Sequence, residues 1–142
     1  MEVLHFAYSA LPAHVAAELD LEPGTEAQHA RRLRRLDGLP LFHLESWVPA
    51  DLGRGYAAAA LARTPMLRLM QEAGVRIGSA RQIVTATAAP PEVSGALGLT
   101  PGAPLLDVRR RVFDEDGRAV QYIRALHRPD LYSYEMELTP RA

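Results

Sequence analysis

The chain has 142 residues, 48% of them hydrophobic and 23% charged, with a formal net charge of −1. That is one soluble globular domain with a single core, spanning residues 1–142. The near-neutral balance argues against a general nucleic-acid binder. The absence of cysteine excludes disulfides, thiolate metal sites and cysteine nucleophiles. No apolar run approaches the ~20 residues a bilayer span needs, and no signal pattern opens the chain, so a cytoplasmic location and no membrane partner are expected. All sixteen basic residues are arginine, so only the position of an arginine can be informative.

Taken in order, Glu2–Tyr8 is rich in strand formers. Ser9 stands where a helix N-cap belongs, and Leu11, Val15 and Leu19 then mark one helical face. Leu21-Glu22-Pro23-Gly24 stops that helix. A hairpin follows, with a basic strand to Leu36, a turn at Asp37-Gly38 and an apolar return over Leu41–Val48. On the return, Phe42, Leu44, Ser46 and Val48 share one face and Leu41, His43, Glu45 and Trp47 the other. Apolar bulk on both faces predicts an interior strand. Tyr56–Ala62 reads as a short alanine-rich helix. Thr64-Pro65 reads as the cap and first residue of a second helix, which Gly74 ends. Val75–Ala88 reads as a strand, and Tyr132–Leu138 alternates like a last one.

The second half repeats the first. At an offset of 78 residues Thr87 follows Ser9, Pro90 follows Pro12, Val93 follows Val15, Leu97 follows Leu19 and Arg109-Arg110 follows Arg31-Arg32. One extra residue in the second turn shifts the offset to 79, so Asp116-Gly117 matches Asp37-Gly38. The chain thus reads as a duplicated helix–hairpin unit, with Tyr56–Ala86 inserted between the copies. An α+β class follows: one antiparallel sheet of pseudo-twofold character, flanked by helices.

The best chemical candidate is Arg32-x-Arg34. Alternate residues on a strand point the same way, so two guanidinium forks converge as a receptor for phosphate or carboxylate. By itself the motif also fits a solvated strand. Thr64 at a helix start would add to an anion site, or serve as a structural cap. Nucleophile elbow, phosphate loop and zinc-protease motifs are missing, and the five histidines lack metal-ligand spacing. No catalysis, metal or cofactor is called for. Glu45, in mid-strand, is expected to pair with an arginine.

In their order and spacing, the blocks AAELDLEPG, RLRRLDGLPLFHLESWVP, TPMLRLMQEAG, ALGLTPGAPLLDVRRRVFDEDGRAVQY and HRPDLYSYEMEL resemble a UTRA domain, the effector-binding part of HutC-subfamily GntR-type transcription regulators. The resemblance implies a chorismate-lyase-like fold and a small-molecule site between sheet and helices. It places the family's anion-gripping R-x-R on Arg32 and Arg34 and its hydroxyl residue on Thr64. A common aromatic position falls on Met66, a ligand-holding carboxylate on Gln121 and a tyrosine on His127. Another carboxylate falls on Leu44, while the neighbouring Glu45 should face the opposite way. The anion end is kept and the polyol-reading end altered, which implies an anionic metabolite poorer in hydroxyls than a sugar phosphate. It also implies a homodimer, with DNA engaged only through a winged helix-turn-helix that this sequence does not contain. The alternatives are a chorismate-lyase-like enzyme acting on a small dicarboxylate and a ligand-free dimerisation module.

Overall fold

Asp37 and Gly38 both take positive φ, 52° and 80°, the twist that lets a two-residue turn join antiparallel strands. The computed structural model, which describes residues 1–140, builds around this hairpin. In chain order the elements are β1 (Glu2–Ala10), α1 (Ala13–Glu18), β2 (Glu26–Leu36), β3 (Leu39–Pro49), α2 (Ala50–Gly53), α3 (Ala58–Arg63), α4 (Met66–Glu72), β4 (Ile77–Ala88), α5 (Pro91–Leu97), β5 (Pro104–Asp114) and β6 (Ala119–His127). The strands form one antiparallel sheet in the order β1-β2-β3-β6-β5-β4. β3 is interior, as its two apolar faces require.

The order is palindromic because the chain is duplicated. β1-α1-β2-β3 and β4-α5-β5-β6 meet along the β3–β6 seam. There Glu45 pairs in register with Arg124, its own counterpart at the offset of 79, so the pseudo-twofold axis passes through this pair. Each helix is closed off in the same way. Leu11 N–H donates to Thr25 O at 2.8 Å and Gly24 N–H to Leu11 O at 3.0 Å. In the second copy Ala89 N–H donates to Ala103 O at 2.8 Å and Gly102 N–H to Ala89 O at 2.9 Å.

Three expectations need correction. The repeated unit includes its leading strand, so the true insertion is residues 50–76; β4 is largely exposed, and an exposed edge strand preserves little side-chain pattern. Ser9 and Thr87 are strand residues rather than caps. Pro12 and Pro90 occupy the N-cap positions without a side-chain cap, because backbone pairing carries the chain past both hydroxyls. Tyr132–Leu138 is not a strand. The chain leaves β6 in the middle of the sheet, where β3 and β5 already take both sides.

The two faces are covered differently. α1 and α5 lie on one face. Val15, Leu19, Trp47 and Tyr122 pack under α1, and Leu33, Val93, Leu97, Leu105 and Leu126 under α5. The insertion covers part of the other face, where Ala30, Val48, Leu61, Met66, Met70, Val112 and Val120 form a third cluster. It is fastened at Gly53, whose carbonyl accepts from Gln28 Nε2 at 2.8 Å and Tyr8 Oη at 3.0 Å. A Cβ at Gly53 would lie 2.9 Å from Gln28 Cβ, so glycine allows this close approach.

Candidate functional site

Strand alternation brings Arg32 and Arg34 onto the insertion's face of the sheet, opposite Leu44 and Phe42 of β3. With Leu61, Arg63, Thr64 and Pro65 from the insertion they line a cavity of about 290 Å³. A second cavity, about 310 Å³, continues from it across the sheet. The two share Met1, Phe42 and Leu44, and the second adds Val108, Arg110, Ile123, Ala125, His127 and Tyr132. Neither is lined by a carboxylate.

Arg32 is the unusual residue. It is 2% exposed, and burial pulls its guanidinium pKa down, although arginine stays charged in proteins. Nη1 donates to the Leu61 carbonyl at 3.3 Å, while Nε has no partner. No carboxylate lies within ion-pair distance of Arg32 among the described residues. A buried cation with no counterion is costly, so this arrangement suits a bound anion. Arg34 and Arg63 also lack a carboxylate partner among the described residues, so all three arginines of the first cavity are uncompensated.

Thr64 lines the cavity but does not cap α4; Pro65 holds that position with no side-chain cap. Thr64 instead ends α3 in extended conformation, so its contribution is a hydroxyl and not a helix terminus. His127 lines the second cavity, with Tyr132 stacked on it at 4.0 Å and Phe42 tilted against it at 4.6 Å. Burial lowers its pKa, which keeps the ring neutral near pH 7. Met66 and Gln121 reach neither wall. Met66 is in the core cluster, and Gln121 is buried with Oε1 unpartnered. Glu45 faces away from the cavities, as expected.

On the opposite face Glu45 accepts from His29 Nε2 at 2.6 Å and Arg31 Nε at 3.1 Å. Burial pushes its carboxyl up, but these bonds outweigh that and hold it below the usual range. A larger cavity on that side, about 520 Å³, is lined by Glu18, Arg81, Arg109, Arg111 and Tyr122 among others. Size does not make it the better anion site. Arg109 pairs with Asp107 at 3.1 Å, and Arg111 with Glu18 at 3.3 Å and Asp20 at 3.5 Å, so most of its positive charge is already compensated.

Sequence reasoning missed Phe42, Arg63 and Arg110 as lining residues. Arg63 lies in an insertion without a counterpart, but the duplication offset does carry Arg32 onto Arg110.

A family model described as the UTRA domain matches residues 1–133. The chain is 28% identical, over 97% of its length, to the HTH-type transcriptional regulator Rv0792c of Mycobacterium tuberculosis, and spans 52% of that protein. Two crystal structures are similar over nearly the whole fold. One is a candidate transcriptional regulator from Streptomyces coelicolor (35% identity, 99% of this chain and 93% of that one, TM-score 0.91). The other is the ligand-binding domain of a candidate GntR-family transcriptional regulator from Bordetella bronchiseptica (29% identity, 97% and 90% coverage, TM-score 0.89).

Proposed function

This chain belongs to the UTRA domain family, and we propose that it senses a small anionic metabolite and passes that signal to a linked DNA-binding domain. UTRA domains are non-enzymatic effector-binding domains of GntR-family transcription regulators. The observation that carries the anionic reading is Arg32, buried, charged, lacking a carboxylate and with Nε unpartnered. Arg32 and Arg34 hold the anionic group by charge-assisted hydrogen bonds, with the Thr64 hydroxyl beside them. His127 supplies a neutral ring at the far end, while Met66 and Gln121 support the site from the buried core behind its walls. Phe42 and Leu44 between the ends favour an apolar middle over a polyol.

The regulator works as a cytoplasmic homodimer whose winged-helix domains read a two-fold operator. The effector shifts the population between two arrangements of those domains. A coupling of about 1–3 kcal/mol gives roughly 5–150-fold in operator affinity.

The test is a thermal-shift and calorimetry screen of the chain with inorganic phosphate and a panel of anionic metabolites, repeated on Arg34→Ala. Anion-dependent stabilisation that disappears in Arg34→Ala supports the reading. A panel that shifts nothing sinks it and leaves a ligand-free dimerisation module.

A further inference from the structure

The five described arginines without a carboxylate within ion-pair distance are Arg32, Arg34, Arg63, Arg81 and Arg110. Four of them line the two adjoining cavities on the insertion's face. Arg32, Arg34 and Arg63 stand at one end and Arg110 at the other. Between them lie Phe42, Leu44, Val108 and Ala125, with no lining carboxylate.

Arg110 is held in place without being neutralised. Its Nε and Nη2 both donate to Gln82 Oε1, at 2.9 and 2.6 Å. An amide oxygen directs the fork but carries no net charge, and Nη1 remains for another acceptor. Arg110 is also the pseudo-twofold counterpart of Arg32. The two cations therefore flank the β3–β6 seam from β2 and β5, three strand spacings across and two residues along, or about 16 Å apart at the backbone.

From this we infer that the two cavities form one trench, with Arg110 as a second anion anchor. The effector class is then an elongated dianion, with an anionic group at each end of an apolar middle. A monoanion would leave one cationic end unmatched. The inference rests on the anion-sensing reading above and adds the second charge.

The test compares linear dicarboxylates, from succinate to sebacate, with monocarboxylates of the same lengths by calorimetry on the full chain. Arg110→Ala and Gln82→Leu are run alongside, and inorganic phosphate, measured with and without Arg34→Ala, reads the Arg32–Arg34 end. One intermediate length of diacid should bind about tenfold tighter than its monoacid, the scale of one charge-assisted contact. That preference should vanish in Arg110→Ala and shrink in Gln82→Leu, while the Arg34-dependent share of phosphate binding persists in both. Equal binding of diacids and monoacids, unaffected by Arg110→Ala, overturns the second anchor and leaves the anion site standing. So does Arg34-dependent phosphate binding with no binding by either carboxylate series. Failure of phosphate and both series overturns the two readings together.

Discussion

In the first copy the acid stands on the third strand, where Glu45 is held by His29 and Arg31 of the second. In the second copy the acid stands on the second strand, where Asp107 is held by Arg109 beside it and by Arg124 of the third. His29, Arg31 and Glu45 correspond to Asp107, Arg109 and Arg124, so the charges have changed places while the location of the cluster has not. The frame thus fixes where a polar cluster sits under the helices and leaves open which residue carries which sign. The other face teaches the complementary point. Arg32 and Arg110 occupy equivalent places, yet Arg32 is buried and Arg110 exposed, because α3 of the insertion lies against Arg32, with the Leu61 carbonyl accepting from it, and among the described residues no equivalent helix lies against Arg110. Duplication supplied the scaffold, and an unduplicated segment turned one half of it into an enclosed site.

The severest way to break the comparison is to put a charge under one helix. Val15→Asp and Leu97→Asp should each lose the cooperative thermal transition seen by circular dichroism, since both positions are fully buried and carry the core stripe. Retained folding in one of them would show that the copies do not share the load. Next come the exchanged clusters. Asp107 is 1% exposed against 21% for Glu45, so Asp107→Asn should cost about 2–3 kcal/mol and Glu45→Gln about 1–2 kcal/mol in urea unfolding. A reversed ranking would mean that the bonded partners, and not burial, govern the pair.

Arg32→Met should raise stability by about 1–2 kcal/mol while removing anion binding, because it deletes an uncompensated buried charge. Loss of stability in this variant would show that the cation is satisfied within the protein. Arg34→Ala, at an exposed position, should leave stability within about 0.5 kcal/mol and still remove binding.

The smallest effect is in the pH profile. Burial holds His43 and His127 below the ordinary 6.5. The unfolded chain therefore takes up these protons first, and stability falls as pH drops below 6.5 toward the folded-state values. Asp107 behaves as a second stage. Burial pushes its carboxyl up, but Arg124 and Arg109 outweigh that and hold it below the ordinary 3.8, so its contribution persists until pH falls below that value. Urea midpoints measured from about pH 7.5 to 5 should show the first decline, flattened in His127→Phe.

Much of this was readable from residues. The stripes at Leu11, Val15 and Leu19 and at Val93 and Leu97, the Asp37-Gly38 turn and the repeat offset report burial and backbone geometry, which leave strong local signals. The leading strand of the second copy was not readable. β4 is an exposed edge held by backbone pairing, and backbone pairing constrains no side chain. The helix cap expected at Thr64 was misread for a related reason. Thr-Pro fits both a helix cap and an extended link between two helices, and only the packing of Leu61, Met66 and Met70 onto the sheet decides. Arg32 and Arg34 were readable as a pair sharing a direction. That one would be buried and the other exposed depends on where α3 lies, and the insertion has no counterpart in the chain from which to infer that.

The β3–β6 seam, with Glu45 opposite Arg124, has a consequence in the language of association. Two equal half-sheets meet there edge to edge about a twofold axis, as separate molecules do in an isologous dimer. Residues 50–76 tether the halves, so partners that would otherwise have to meet by diffusion are held at an effective concentration in the millimolar range or above. An encounter that would depend on how much protein is present has become independent of it.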